Sequence, residues 1–240
     1  MPESLTTAFI QQDWDAYSES QHAVWETLYA RRMPSLRHTA SRVFLEGAAA
    51  IGLDPGFIPV LATLNRRLVA RTGWSAVPVE GFLPAGEFFQ CLAHRMFPTT
   101  VTIRPADRLD YVPEPDIFHD VFGHVPLHAD PVFADFLQQF GGLAAAAATP
   151  EATERMARLF WFTVEFGLIR EAGAVKVYGS GLISSHADAA NALGPTCERR
   201  PFVLEQVLEQ PFRIDELQPV LFVVEDFGQL FEAVERLTQN

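Results

Sequence analysis

Apolar positions recur every three or four residues through most of this chain and alternate in only a few short stretches. That pattern predicts a mostly α fold with a few short β-strands. Val24, Trp25, Leu28 and Tyr29 share one face of a helix expected over residues 20–32, with Pro34 after its end. Val43, Phe44 and Ala48 mark a helix over 39–51 that stops at Gly52. Ile58, Leu61, Leu64 and Leu68 mark another over 57–72 that stops at Gly73. Pro84 suits the start of a fourth, carrying Phe88, Phe89, Leu92 and Met96. Residues 131–140, 151–172 and 227–237 read as further helices, and 99–104, 175–178 and 220–224 as strands. Residues 1–17 show no such pattern and are expected to form a flexible N-terminal segment. Residues 18–240 contain no repeat and no Pro/Gly/Ser linker, so one domain is expected there.

Two segments add chemistry to this scaffold. Residues 113–126, Pro-Glu-Pro-Asp-Ile-Phe-His-Asp-Val-Phe-Gly-His-Val-Pro, offer the imidazoles of His119 and His124. Residues 161–168, Trp-Phe-Thr-Val-Glu-Phe-Gly-Leu, offer the carboxylate of Glu165 among apolar neighbours, where burial is costly unless a cation is present. Two His and one acid hold ferrous iron on one face and leave other positions open for oxygen and substrate; zinc accepts the same donors. Pro115 suits a first helical position, and Asp116 complements a helix N-terminus. Five residues leave about 140° between side chains on an ideal α-helix, so His119 and His124 do not share a face there. Gly123 and Pro126 then predict a helix that ends near Gly123, letting His124 turn back toward the same ion. Asp120 reads as a supporting residue rather than a further ligand. His22, His38, His94, His128 and His186 lack such a context and default to surface or packing roles.

Composition narrows the partners. Twenty Phe and four Trp in 240 residues imply an aromatic core or pocket. A net charge of −12 argues against nucleic acid, whose phosphates call for clustered Lys and Arg. Cys91 and Cys197 read as reduced thiols of a cytoplasmic protein. No basic-then-apolar leader opens the chain and no apolar run reaches the length of a membrane span, so no membrane partner is expected.

The run from Pro113 to Pro126 closely resembles the signature of the pterin-dependent aromatic amino acid hydroxylases. So do Phe160-Trp-Phe-Thr-Val-Glu-Phe-Gly-Leu168, Tyr178-Gly-Ser-Gly-Leu-Ile-Ser-Ser185 and Phe212-Arg-Ile-Asp-Glu-Leu-Gln-Pro219. These motifs follow the family's order, the likeness runs from about Trp25 to the C-terminus, and it is greatest to the short bacterial members that act on phenylalanine. The resemblance implies a single hydroxylase-like catalytic domain over 18–240. It implies a monooxygenase dependent on Fe(2+) and tetrahydrobiopterin (or another tetrahydropterin) that converts L-phenylalanine to L-tyrosine with dioxygen. His119, His124 and Glu165 match the iron ligands, with no further catalytic side chain implied. Arg104, ending the expected strand, matches the residue that pairs with the substrate carboxylate, a task its planar fork suits. Val112, Pro115, Trp161, Phe166, Gly181 and Ser184 match the surroundings of the substrate. Gly81, Phe82, Leu83, Phe88, Asp120 and Phe160 match the cofactor side, with Phe88 stacking on the pterin ring.

Val112 stands where many relatives carry a hydroxyl, so a backbone contact is expected in its place; Phe160 replaces a tyrosine of many relatives. Both departures keep a tryptophan hydroxylase of the same family open as an alternative. The sequence holds neither the regulatory domain nor the coiled-coil tail of animal relatives, and the last helix lacks sustained heptads, so an unregulated monomer is expected. A zinc hydrolase with Asp120 as general base uses the same triad, and a sensor of aromatic amino acids with a structural metal is a non-enzymatic reading.

Overall fold

The computed structural model describes residues 8–110 and 114–238. Ser18 opens the longest helix, α1 (Glu19–Thr39), through a reciprocal capping box with Gln21. Helix α1 runs past the expected stop, with Pro34 inside it. A proline there removes one backbone hydrogen bond. Burial of Val24, Trp25, Leu28 and Leu36 on the inner face stabilises the helix on both sides of the break. Helix α2 (Arg42–Ile51) starts only after Ser41, whose hydroxyl caps Phe44 N, and ends at Gly52 in the left-handed conformation (φ 68°). Helix α3 (Leu61–Thr72) is shorter than expected at its start and ends at Gly73 (φ 76°). These two stops need the freedom of glycine.

Helix α4 (Ala85–Ala93) follows Pro84. Helices α5 (Pro131–Ala145) and α6 (Pro150–Phe160) start at the side-chain caps Asp130 and Thr149, each with Pro in its first turn. Four further helices follow among the described residues: α7 (Ser180–Ser184), α8 (His186–Leu193), α9 (Leu204–Glu209) and α10 (Gly228–Thr238). Strand β1 (Ser75–Val79) pairs in parallel with β2 (Met96–Thr100), so the strand expected over 99–104 lies several residues earlier. A second sheet has the order β4-β3-β6-β5, from β3 (Leu168–Glu171), β4 (Ala174–Val177), β5 (Glu198–Pro201) and β6 (Val220–Val224). The helix expected over 151–172 is therefore three pieces: α6, a π-helical turn (Trp161–Glu165) and β3.

The N-terminal segment is held from Phe9 onward. Phe9 bridges Val79, Ile10 N donates to Pro78 O at 2.9 Å, and Trp14 Nε1 donates to Ile58 O at 2.6 Å. Tyr17 donates its hydroxyl to Val101 O. Residues 9–17 thus form a strap over β1 and the start of α3.

The core is aromatic, as the composition implied. Trp25, Phe44, Phe118, Phe122, Phe133, Phe136, Phe140 and Phe162 are fully buried. Phe118 and Phe122 stack with ring centroids 4.5 Å apart, which anchors the segment bearing His119 from below. Among the described residues no helix is long and apolar enough to cross a membrane.

Candidate metal centre and adjoining cavities

The spacing of His119 and His124 is solved by a change of helix type. Residues Phe118–His124 form a π-helix, whose hydrogen bonds close from i to i+5 and bring residues five apart onto one turn. The chain does not end its helix at Gly123, as the sequence implied; it continues through His124 into a 3₁₀ turn (Val125–Ala129). Glu165 is presented by the same device, since Trp161–Glu165 is also π-helical and Phe166 N donates to Trp161 O at 2.8 Å.

The result is a compact set of donors. His119 Nε2 and His124 Nε2 lie 3.6 Å and 3.0 Å from the Glu165 oxygens, and one ligand atom from each residue lies within 4.8 Å of the others. Burial pushes the Glu165 carboxyl up, but His124, His119 and the Ser180 hydroxyl outweigh it and hold the group down at about 2. Helix α7 sets the outer contacts. Ser180 Oγ donates to Glu165 Oε2 at 2.7 Å, and Ser184 Oγ donates to Ser180 O at 2.8 Å. Ser184 has one hydroxyl proton and has spent it. It must therefore accept from His119 Nδ1, 2.9 Å away, so Nε2 of His119 carries the free lone pair toward Glu165. An imidazole in its ligating tautomer beside an ionised carboxylate and a second imidazole fits a divalent transition ion. Phe97 covers His124, with ring centroids 4.5 Å apart.

Two cavities, of about 330 and 400 Å³, meet at these donors and share Phe82, Pro115, His119, Trp161 and Glu165 in their linings. Gly81, Phe82, Leu83, Phe88, Asp120 and Phe160 all line the first. Arg104, Pro115, Trp161, Phe166, Gly181 and Ser184 all line the second. Phe82 of the first set and Pro115 and Trp161 of the second border both cavities, while each of the other nine borders one only. Val112 lies outside the described residues.

Arg104 differs from the sequence reading in two ways. It follows β2 in irregular chain rather than ending a strand. Its fork is also already engaged: Nε and Nη2 reach the two oxygens of Asp116 at 2.7 and 2.8 Å, and Nη1 donates to Leu109 O at 3.1 Å. One N–H on each of Nη1 and Nη2 remains for a bound carboxylate. Asp116 also accepts from His119 N at 3.0 Å. Burial raises the Asp116 carboxyl, but the Arg104 guanidinium and the backbone amides of His119 and Arg104 hold it below the usual carboxylate range. Asp120 points its Oδ2 at Thr100, accepting from N at 2.7 Å and from Oγ1 at 2.8 Å, while burial pushes its carboxyl up. It is buried in the wall of the first cavity and its hydrogen bonds go to Thr100, not to the three donors. Ser180, Asp116, Thr100 and Phe97 were not singled out as site residues from sequence; Ser180 and Asp116 at least lie inside the quoted motifs.

The profile described as biopterin-dependent aromatic amino acid hydroxylase matches residues 14–240. Phenylalanine-4-hydroxylase of Caulobacter vibrioides is 42% identical over 228 residues, covering 95% of this chain and 78% of that protein. A structure of Chromobacterium violaceum phenylalanine hydroxylase with iron(III) and 7,8-dihydrobiopterin bound superposes with a TM-score of 0.91 at 38% identity, covering 100% of this chain and 93% of the other. A structure of the same enzyme with iron and phenylalanine bound gives 0.89 at 40% identity, covering 94% and 82%. With a match of this extent around such a donor set, the chain belongs to the biopterin-dependent aromatic amino acid hydroxylases.

Proposed function

We infer that this chain is a phenylalanine 4-monooxygenase, which uses Fe(2+), a tetrahydropterin and dioxygen to convert L-phenylalanine to L-tyrosine. The observation that carries this reading is the meeting of two separate cavities at one two-His-one-carboxylate cluster. The relatives whose structures hold iron with a pterin and iron with phenylalanine support the same assignment. Tryptophan hydroxylation and zinc-dependent hydrolysis have no comparable support.

Bound iron and reduced pterin would supply the redox chemistry, with two electrons from the pterin, one atom of dioxygen entering the ring as hydroxyl and the other leaving on the hydroxylated pterin. The chain's own residues do the rest. His119, His124 and Glu165 hold the ion by three positions and leave the others open. Ser184 fixes the tautomer of His119, and Ser180 fixes the Glu165 carboxylate. In the second cavity the free N–H groups of Arg104 receive the substrate carboxylate, and Trp161, Phe166 and Pro115 exclude water from the ring. In the first cavity Phe88 and Phe160, with centroids 5.5 Å apart, offer aromatic faces to the pterin, and Gly81, Phe82 and Leu83 border it. We assign catalysis to residues 18–240 and read the protein as a cytoplasmic monomer, in keeping with the free, buried thiols of Cys91 and Cys197.

An aerobic assay with ferrous iron, tetrahydropterin and phenylalanine, following tyrosine, tests the reading. Tyrosine is expected only with all components present, and faster than hydroxytryptophan from tryptophan. Tyrosine formation that persists without pterin or oxygen would overturn it.

A further inference from the structure

Arg32 is an arginine on a buried stripe. On α1 it falls between Leu28 and Leu36 at steps of four, and it is 3% exposed. Burying a guanidinium is costly unless its donors are matched. No carboxylate bonds to it among the described residues. Its partners are instead two backbone carbonyls and a ring nitrogen: Nε donates to Ile183 O at 2.8 Å, Nη2 to Leu182 O at 3.0 Å, and Nη1 lies 3.4 Å from His186 Nδ1. The carbonyls belong to the last turn of α7, where a helix has no partners of its own to offer. A planar fork is suited to capping two neighbouring carbonyls; an ammonium on a flexible stem is not.

Helix α7 is also the element that carries both hydroxyls supporting the metal donors. Ser184 at its end receives His119 Nδ1, and Ser180 at its start donates to Glu165. It has only five residues, so it holds little stability of its own. We propose that Arg32 is a positioning residue for the metal centre, pinning α7 from behind so that Ser184 and Ser180 keep His119 and Glu165 in their ligating geometry. Without the fork, the carbonyls of Leu182 and Ile183 lose their donors and α7 shifts, and both hydroxyls move with it. A displacement beyond about 0.5 Å exceeds what such a site tolerates.

The inference rests on the reading of His119, His124 and Glu165 as metal ligands. The test is titration of metal-free protein with Co(II), read by the absorption of the bound ion, on wild type, Arg32→Lys, Ser184→Ala and the double variant. Wild type is expected to take up one ion; if it takes up none, the metal-centre reading fails and this inference with it. Arg32→Lys is expected to keep its melting temperature within a few degrees. Its cobalt affinity should fall about 10-fold, the lower end for supporting contacts, with an altered absorption band. The losses of Arg32→Lys and Ser184→Ala should be less than multiplicative, because both act through α7. Wild-type affinity and spectrum in Arg32→Lys, or losses that multiply, would show that Arg32 does not position the centre while leaving the centre itself intact. An Arg32→Lys variant that cannot fold would make Arg32 a purely structural residue and also sink the proposal.

Discussion

His128 sits beneath the metal donors as a neutral, fully enclosed imidazole. Its Nδ1–H donates to His124 O at 2.9 Å, its Nε2 is buried without a partner, and its ring lies 4.6 Å from Trp74 and 4.9 Å from Phe97. Burial, with His124 nearby, pushes its pKa down to about 3. The folded state therefore binds this proton less readily than the unfolded chain, where the value is near 6.5. The stability tied to a neutral His128 is complete above about 6.5 and is lost progressively as pH falls toward about 3. At pH 5 the loss is on the order of 2 kcal/mol. Urea denaturation of metal-free wild type and His128→Phe at pH 8 and pH 5 should show the wild type losing more on acidification; an equal loss in both would mean that His128 does not carry the effect. Arg104 is the second residue with a measurable consequence. Arg104→Lys cannot span both Asp116 oxygens and replaces a fork with a point charge. The KM for phenylalanine should rise, by an amount matching a lost charge-assisted bond of about 1.5–3 kcal/mol. Unchanged kinetics would place the substrate carboxylate elsewhere.

At the scale of elements, the two π-helical turns and α7 form the framework of the site, and glycines permit their contact. A Cβ at position 179 would lie 2.4 Å from Glu165 O and from Gly167 N, backbone atoms that cannot give way. Gly179→Ala should therefore push Glu165 off its position. Overpacking of this kind costs about 1–3 kcal/mol, and the variant should melt lower and bind cobalt more weakly; a variant with wild-type melting and affinity would contradict the geometry. The ligand types were legible in the sequence because two His and an acid in apolar surroundings have few other uses. The means of bringing them together was not, since no residue pattern separates a π turn from an α turn, and the reading ended the helix at Gly123 instead. Strand β3 was hidden for a related reason. Leu168 and Ile169 continue the apolar run of Phe160, Phe162 and Val164, and a short apolar run does not distinguish strand from helix. Pro34 misled in the other direction: packing of Trp25, Leu28 and Leu36 outweighs the local preference to stop.

Across the whole molecule, sequence periodicity captured the helical character and composition the aromatic core, while the sheet pairings and the strap of residues 9–17 depend on contacts distant in sequence and left no periodic trace. The fold places that core under the donors and opens the two cavities above it, so both cavities meet at one set of donors. An ion held by His119, His124 and Glu165 must be redox-active for this chemistry. Metal-free protein reconstituted in parallel with Fe(II) and with Zn(II), then assayed with tetrahydropterin, oxygen and phenylalanine, tests it most directly. Zinc fits the same three ligands but has no redox chemistry, so tyrosine should form with iron alone, and added zinc should inhibit the iron-loaded protein. Tyrosine formation at equal rate with zinc would contradict the account.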